Sequence, residues 1–547
     1  MTTPPTSFES FLLLGPEIAL VLAALTAWLG GAFLGLRWGW PVALVGIGAA
    51  LGIARLQPAT AASAGVTLDA FSGFIRWLVL VLGGLLALVQ SGDLFLSASS
   101  RGPGRHRGGT CEEAGTFLVL LAGLSLTGLA SDLVTLFAGL ELVSIPTYIL
   151  LALKRSDARG QEAGLKYFFL SLVASALFLY AIVCLYGLGG STDLGTIAAR
   201  LREPAAAESL RALIPVALGM AIVAAAFRLA AVPMHFYAPD VYEGTSPGNA
   251  ALLSTLPKVA GLVVLARIVS LSVPLELFWQ AAAVLAAVTM TVGNVMALWQ
   301  RNLRRLLACS SIAHAGYLLV GVAVAAAATP STQQPADPAA AALLATSTLD
   351  GMSATLFYLA TYAVATIGLF GALAYLGHRW PEWTSGSGPR PPLEEVALVD
   401  DLDGLSSTNP VAAFAIALFL LSLAGIPPLP GFWGKLSLAA SALQVDWTAP
   451  VTFGSRRAAF VALAVVLVVN AAIAAAYYLR IIGAIYFRTT KRGVQADGGL
   501  AAGVAMLACG LIVLMVALQP IGLFTVASRA GSSMSRIVSG NTVGYVP

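Results

Sequence analysis

The sequence predicts an all-α polytopic membrane protein of about fourteen transmembrane helices, and three observations lead there. Of 547 residues, 58% are hydrophobic and only 10% charged, whereas a soluble domain carries about a quarter charged residues. Apolar stretches of about 20 residues, the length that crosses a hydrocarbon layer, recur from one end to the other. Polar connectors rich in glycine and proline separate them, for instance RGPGRHRGG at 101–109, TPSTQQPADP at 329–338 and PEWTSGSGPRPP at 381–392. None is long enough for a soluble catalytic domain.

Taken in order, the spans centre on 13–36, 40–56, 73–92, 115–130, 131–152, 165–189, 212–237, 249–272, 277–299, 305–328, 350–377, 409–442, 458–488 and 500–526. The first has neither the basic lead nor the cleavage site of a signal peptide and reads as a retained span. Arginine and lysine gather after odd-numbered spans: Arg101, Arg105 and Arg107; Lys154, Arg155 and Arg159; Arg301, Arg304 and Arg305; Arg480, Arg488, Lys491 and Arg492. By the positive-inside bias these loops are cytoplasmic and both termini lie outside. Arg200, Arg202, Arg456 and Arg457 are exceptions. Trp38, Trp40, Trp279 and Trp299 fall at span ends and read as interfacial anchors.

Two spans look broken. As one straight helix, 409–442 would reach about 50 Å, well past a hydrocarbon core of about 30 Å. Its middle, AGIPPLPGFWGK, holds three prolines that remove backbone donors. The seventh span ends in FRLAAVP at 227–233, which aligns with LSLAGIP at 421–427. Interrupted segments at matching places in two halves point to an ion or substrate path near the midplane.

Charge inside a span costs about 2.5–3.5 kcal/mol on insertion scales, so each ionisable residue there needs a reason. Five stand out: Glu141, Arg228, Lys258, His314 and Lys435, with His235 beside the first break as a further possibility. The lysines are informative because the chain has only five, Lys154, Lys166, Lys258, Lys435 and Lys491, and two lie inside spans. A desolvated lysine can release its proton near neutral pH, which arginine does not do. Plainer readings stay open. Glu141 can neutralise an embedded cation, Lys258 and Lys435 can lock helices together, and His314 and His235 can be satisfied core histidines. Arg76 and Arg267, near span ends, read as snorkelling cations; Asp240 and Glu243 read as loop-shaping residues that cap the next helix.

Nothing resembles a basic, aromatic-interleaved nucleic-acid surface. Cys111, Cys184, Cys309 and Cys509 stand far apart, without metal-ligand spacing or a disulfide framework.

Six segments carry a family resemblance: GPEIAL at 15–20, LVTLFAGLELVSIPTYIL at 133–150, EAGLKYFFLS at 162–171, VPMHFYAPDVYEG at 232–244, RNLRRLLACSSIAHAGYLLVG at 301–321 and LSLAGIPPLPGFWGK at 421–435. They resemble the antiporter-like subunits of respiratory complex I, and specifically subunit N of bacterial NADH-quinone oxidoreductase. The resemblance implies two inverted five-helix repeats, spans four to eight and nine to thirteen, with breaks in spans seven and twelve. It divides the chain into an N-terminal three-helix scaffold (1–110), a first repeat (111–274), a second repeat (275–490) and helix fourteen with its tail (491–547). By the same likeness Glu141, Lys258 and Lys435 match the family's ionisable residues of spans five, eight and twelve, and His314 its central position in span ten. NADH, FMN, iron–sulfur clusters and quinone are expected in other subunits, leaving no cofactor here. The implied partners are membrane subunits K, M and L and the A/J/H group, in a bacterial cell membrane.

The chain departs from the pattern at Arg228, where the family has a lysine in an FKLS-type segment, and at Pro257 and SPGNA at 246–250. A permanently charged guanidinium modulates Glu141 better than it carries protons. The expected activity is proton translocation: quinone reduction elsewhere shifts the field at Glu141 and Arg228, and a proton passes from Lys258 through His314 to Lys435. A cation/proton antiporter subunit without redox drive, and a scaffold that only assembles its neighbours, remain as rivals.

Overall fold

The computed structural model describes residues 13–35, 38–63, 65–91, 110–154, 157–202, 213–271, 276–327, 350–379, 394–447, 449–489, 494–496 and 498–538. The predicted connectors at 101–109, 329–338 and 381–392, with Arg101, Arg105, Arg107, Arg155, Lys491 and Arg492, lie outside the described residues. Among the described residues, twelve helices are long and apolar enough to cross a membrane, and two shorter apolar ones, Leu213–Leu229 and Pro410–Ala424, begin the interrupted spans. Each coincides with one of the fourteen predicted spans.

Polar residues set the helix starts. Asp69 accepts from the backbone of Ser72 and the Ser72 hydroxyl returns the bond, a reciprocal cap on Ala70–Gln90. Asp157, Asp350, Asn409 and Ser455 cap the helices that follow them with one-way bonds, each side chain accepting from a backbone N–H of the first turn. Three helices, Pro247–Leu271, Leu303–Ala327 and Gly351–Leu376, are enclosed by protein on every side. Peripheral helices such as Ala158–Gly189 present apolar side chains outward, among them Leu165, Phe169, Leu172, Tyr180 and Val183. The interior is therefore three central helices wrapped by a ring whose outer face suits acyl chains. Among the described residues the β-structure is small: an antiparallel hairpin of Ala61–Ser63 and Val66–Leu68, and an antiparallel trio ordered Glu394–Glu395, Gly377–Arg379, Val494–Ala496.

Both predicted breaks are present. In the twelfth span Pro410–Ala424 stops at Gly425, whose φ of 89° suits glycine, and a second half, Pro430–Gln444, starts after the proline-rich link. The halves come so close that a Cβ on Gly431 would stand 1.7 Å from the Ser422 carbonyl oxygen. We expect Gly431→Ala to push the halves apart at a cost of about 1–3 kcal/mol or more. A lowered melting temperature of the purified protein would report it, and an unchanged one would refute the close approach. In the seventh span Leu213–Leu229 gives way to a turn over 230–237 and a short helix, Ala238–Gly244.

Several expectations need correction. Arg76 does not snorkel. It is 2% exposed and grips Glu17 through two 3.0 Å bonds, because helices one and four close over its end of the third span. Arg267 is 4% exposed, donates to the Gly128 carbonyl at 3.0 Å and lies over the Phe71 ring. Trp38 and Trp299 are exposed as anchors should be, but Trp40 and Trp279 are buried against Phe117 and Phe460. The last span is not continuous to 526: Leu500–Leu518 ends before Pro520, and a separate amphipathic helix, Pro520–Val538, packs across the third and eleventh spans. Proline at its first position starts a helix readily but cannot continue one. Arg456, an exception to the charge bias, is paired with Asp446 at 2.6 Å, and this hydrogen bond holds the Asp446 carboxyl below the usual carboxylate range.

Candidate functional site

A helix that ends inside a bundle leaves its last carbonyls without partners and its negative dipole end exposed. Here both interrupted helices end that way, and a lysine meets each end. Lys258, enclosed at the centre of its span, donates to the Leu229 carbonyl at 2.7 Å and to the Ser311 carbonyl at 2.7 Å. Lys435 donates to the Leu423 and Ala424 carbonyls, each at 2.9 Å, and lies 4.8 Å from the centroid of Tyr317. The two amines are 1% and 6% exposed, and among the described residues neither has a carboxylate in salt-bridge range.

His314 stands between them. Its Nδ1 meets the Tyr358 hydroxyl at 2.6 Å and its Nε2 the Tyr478 hydroxyl at 3.0 Å; the Tyr478 hydroxyl also meets Ser310. The Tyr362 ring lies 4.6 Å from the imidazole and 5.9 Å from the Lys258 amine, while Tyr317 lies 5.8 Å from the imidazole on the Lys435 side. A second set of hydroxyl contacts lies on the Lys258 side: Tyr362 and Ser311 are 2.9 Å apart, and Ser311 and Tyr242 3.4 Å apart. Each lysine is thus one aromatic ring away from the histidine. Hydroxyls and imidazole both donate and accept, so the His314 cluster can exchange a proton among its own members, while aromatic rings rather than hydrogen bonds separate it from each amine.

The tyrosines escaped the sequence reading. An uncharged hydroxyl does not stand out in an apolar span, although His314 with Tyr317 and Tyr358 with Tyr362 carry the three- and four-residue spacing that puts side chains on one helix face.

Glu141 and Arg228 are brought together loosely, with 3.8 Å between guanidinium and carboxylate. Glu141 accepts from Ser175, and Arg228 donates to Ser144 at 2.7 Å. Glu141 differs from the central three in position: its side chain is 26% exposed, on the outer face of Leu133–Lys154. His235 lies partly buried in the turn after the break and, among the described residues, makes no hydrogen bond to the His314 cluster.

Asp240 and Glu243 do more than shape a loop. Asp240 bridges Lys166 at 2.7 Å and Arg305 at 2.8 Å, and Glu243 meets Arg305 at 2.8 Å. The following helix takes its cap from Ser246. With Arg159 and Glu162 these residues line a polar cavity of about 270 Å³. Tyr242, from the same short helix, carries the hydroxyl that approaches Ser311.

Comparison with known proteins bears on this arrangement. Residues 130–332 and 339–461 match the family described as NADH:quinone oxidoreductase/Mrp antiporter, TM. NADH-quinone oxidoreductase subunit N of Desulfovibrio desulfuricans is 33% identical over 517 residues, covering 91% of this chain and 93% of that one. Subunit N 1 of Sorangium cellulosum is 33% identical over 480 residues, covering 85% and 83%. A chain of respiratory complex I from Thermus thermophilus superposes with a TM-score of 0.70 at 27% identity, over 94% of this chain and 99% of that one. A chain of the Mrp complex from Dietzia sp. DQ12-45-1b shares the fold, with a TM-score of 0.73 at 21% identity over 97% and 100% of the two chains. Identity of this level along nearly the whole length, on a fold of this kind, settles the relationship: the chain belongs to the NADH:quinone oxidoreductase/Mrp antiporter membrane family and, within it, to subunit N of NADH-quinone oxidoreductase.

Proposed function

We propose that this membrane subunit moves protons along a midplane relay of Glu141, Lys258, His314 and Lys435, with Arg228 as charge modulator, driven by quinone reduction in other subunits. The carrying observation is the cluster that lies between two amines held by carbonyls rather than by carboxylates: His314 hydrogen-bonded to the Tyr358 and Tyr478 hydroxyls, with the Tyr362 ring beside Lys258 and the Tyr317 ring beside Lys435. A protonated lysine has three donors. Two carbonyls occupy two of them, so the third proton can leave while both bonds persist, and the helix ends stay satisfied in either state.

Drive has to come from outside the relay, because moving each charge against the membrane potential costs about 2.3 kcal/mol per 100 mV. Glu141 suits the receiving end. A carboxylate facing acyl chains at this depth would be costly, so a neighbouring membrane subunit is placed against the outer face of Leu133–Lys154, where it can change the field that Arg228 and then Lys258 feel. His235, removed from the cluster, is left outside the relay. NADH, FMN, iron–sulfur clusters and quinone belong, in this reading, to partner subunits, with the K, M, L and A/J/H subunits as the partners.

The test is Glu141→Gln in the assembled enzyme, reconstituted in sealed vesicles. We expect NADH oxidation to continue with fewer protons taken up per NADH. Uptake at the wild-type ratio would remove Glu141 from the relay.

A further inference from the structure

Two asparagines that the relay does not use are buried between spans nine (Glu276–Trp299) and thirteen (Arg456–Phe487). Asn294 is fully buried and Asn470 2% exposed, and an amide in hydrocarbon needs partners. The Asn294 Nδ2 donates to Asn470 twice, to its side-chain oxygen at 3.0 Å and its backbone oxygen at 3.1 Å. The Asn470 Nδ2 donates to the Val466 carbonyl at 3.0 Å and to the Thr291 hydroxyl at 3.2 Å. The Tyr477 hydroxyl meets the Asn294 Oδ1 at 3.0 Å.

Two backbone carbonyls fix the direction of every bond in this set. A carbonyl only accepts, so Asn470 O and Val466 O dictate which side of each amide carries the nitrogens. Asn294 Oδ1 must then accept, and Tyr477 must donate its single proton to it. That proton is committed away from His314. Tyr477 packs at a tilt against its chain neighbour Tyr478 with 4.5 Å between centroids, and Tyr478 is the residue whose hydroxyl meets His314 Nε2.

We propose that the Asn294–Asn470 pair is a positioning and insulating device for the relay. It clamps span thirteen to span nine so that Tyr478 faces His314, and it sets two amides that do not titrate between the tyrosines and the exposed Thr291 hydroxyl, to which Asn470 donates. Amides hold their protons where imidazole and carboxyl groups exchange them, so a network closed by two of them supports the tyrosines without offering a second way out. Asn294 and Asn470 act through Tyr477 and Tyr478 and touch no carried proton themselves. This inference rests on the proposed relay through His314.

The experiment uses the whole enzyme in sealed vesicles, with protons taken up per NADH oxidised measured across a pH series. Asn294→Asp is isosteric but puts a titratable group at the end of the network. We expect NADH oxidation to be retained, uptake per NADH to fall by about half or more, and the pH profile of uptake to gain a limb that the wild type lacks. Tyr477→Phe, which removes only the hydroxyl on Asn294, should lower the ratio without adding that limb. Wild-type ratio and profile in both variants would overturn the proposal, and failure of both to assemble would overturn it in favour of a purely structural clamp. His314→Leu, run in parallel, separates the two readings: if it pumps normally the relay itself fails, and if it alone loses uptake only the role given to the asparagines fails.

Discussion

Lys435→Arg is expected to leave the enzyme assembled and oxidising NADH, while protons taken up per NADH drop as far as in Lys435→Met. The two variants part on structure and agree on function. Methionine fills the space of the lysine stem but brings no donor, so the Leu423 and Ala424 carbonyls at the end of Pro410–Ala424 lose their partner. Each buried acceptor left bare costs about 1–3 kcal/mol, and the methionine variant should melt earlier. Arginine restores donors to the same carbonyls and keeps a positive charge at the negative end of the helix dipole, so its stability should stay near wild type. It does not release a proton in the accessible pH range. If a lysine at this position merely locks the broken helix, arginine does the work and pumping survives. Normal uptake in Lys435→Arg, measured in sealed vesicles, would therefore end the relay account.

The same comparison shows why the sequence exposed some of this site and hid the rest. Lys258, His314 and Lys435 are visible because a polar group in an apolar run is expensive, and expense can be read one residue at a time. The breaks are visible because proline and glycine act locally. What Lys258 holds, the carbonyl of Leu229 and that of Ser311, is invisible, since it depends on which helix ends beside which. Tyr358, Tyr362 and Tyr478 are hidden for another reason. A tyrosine is unremarkable in a span, and only the crossing of spans ten, eleven and thirteen turns two hydroxyls and one ring face toward one imidazole. Asn294 and Asn470 are legible by the same rule, because an amide mid-span also needs partners, but a neutral group costs less than a charge and signals more weakly. Arg76 shows the opposite case: it stands near a span end in sequence, yet neighbouring helices close over it and leave it 2% exposed.

Arg76→Met is the second large effect, and it falls on stability. Glu17 on the first span takes two bonds from Arg76 on the third and one from Ser125 on the fourth, and Arg76 also reaches the Leu13 carbonyl and Gln57. The pair thus fastens three spans where each carries little polar surface of its own. Removing one partner leaves a carboxylate enclosed with, among the described residues, Ser125 alone as a donor, and breaking a buried pair costs about 3–5 kcal/mol. Attraction within the pair is not the same quantity. Much of its strength goes to offset the desolvation of both groups, so replacing both should cost far less than replacing one. We therefore expect Arg76→Met to lower the melting temperature of the purified enzyme sharply, and Glu17→Met/Arg76→Met to recover most of the loss. The recovery should be incomplete, because Leu13 O and the Gln57 side chain lose a donor in either case. A single variant that melts like wild type would show that the guanidinium is not enclosed. A double variant as weak as the single would show that the bonds to Leu13 and Gln57, rather than the ion pair, hold the first span against the third.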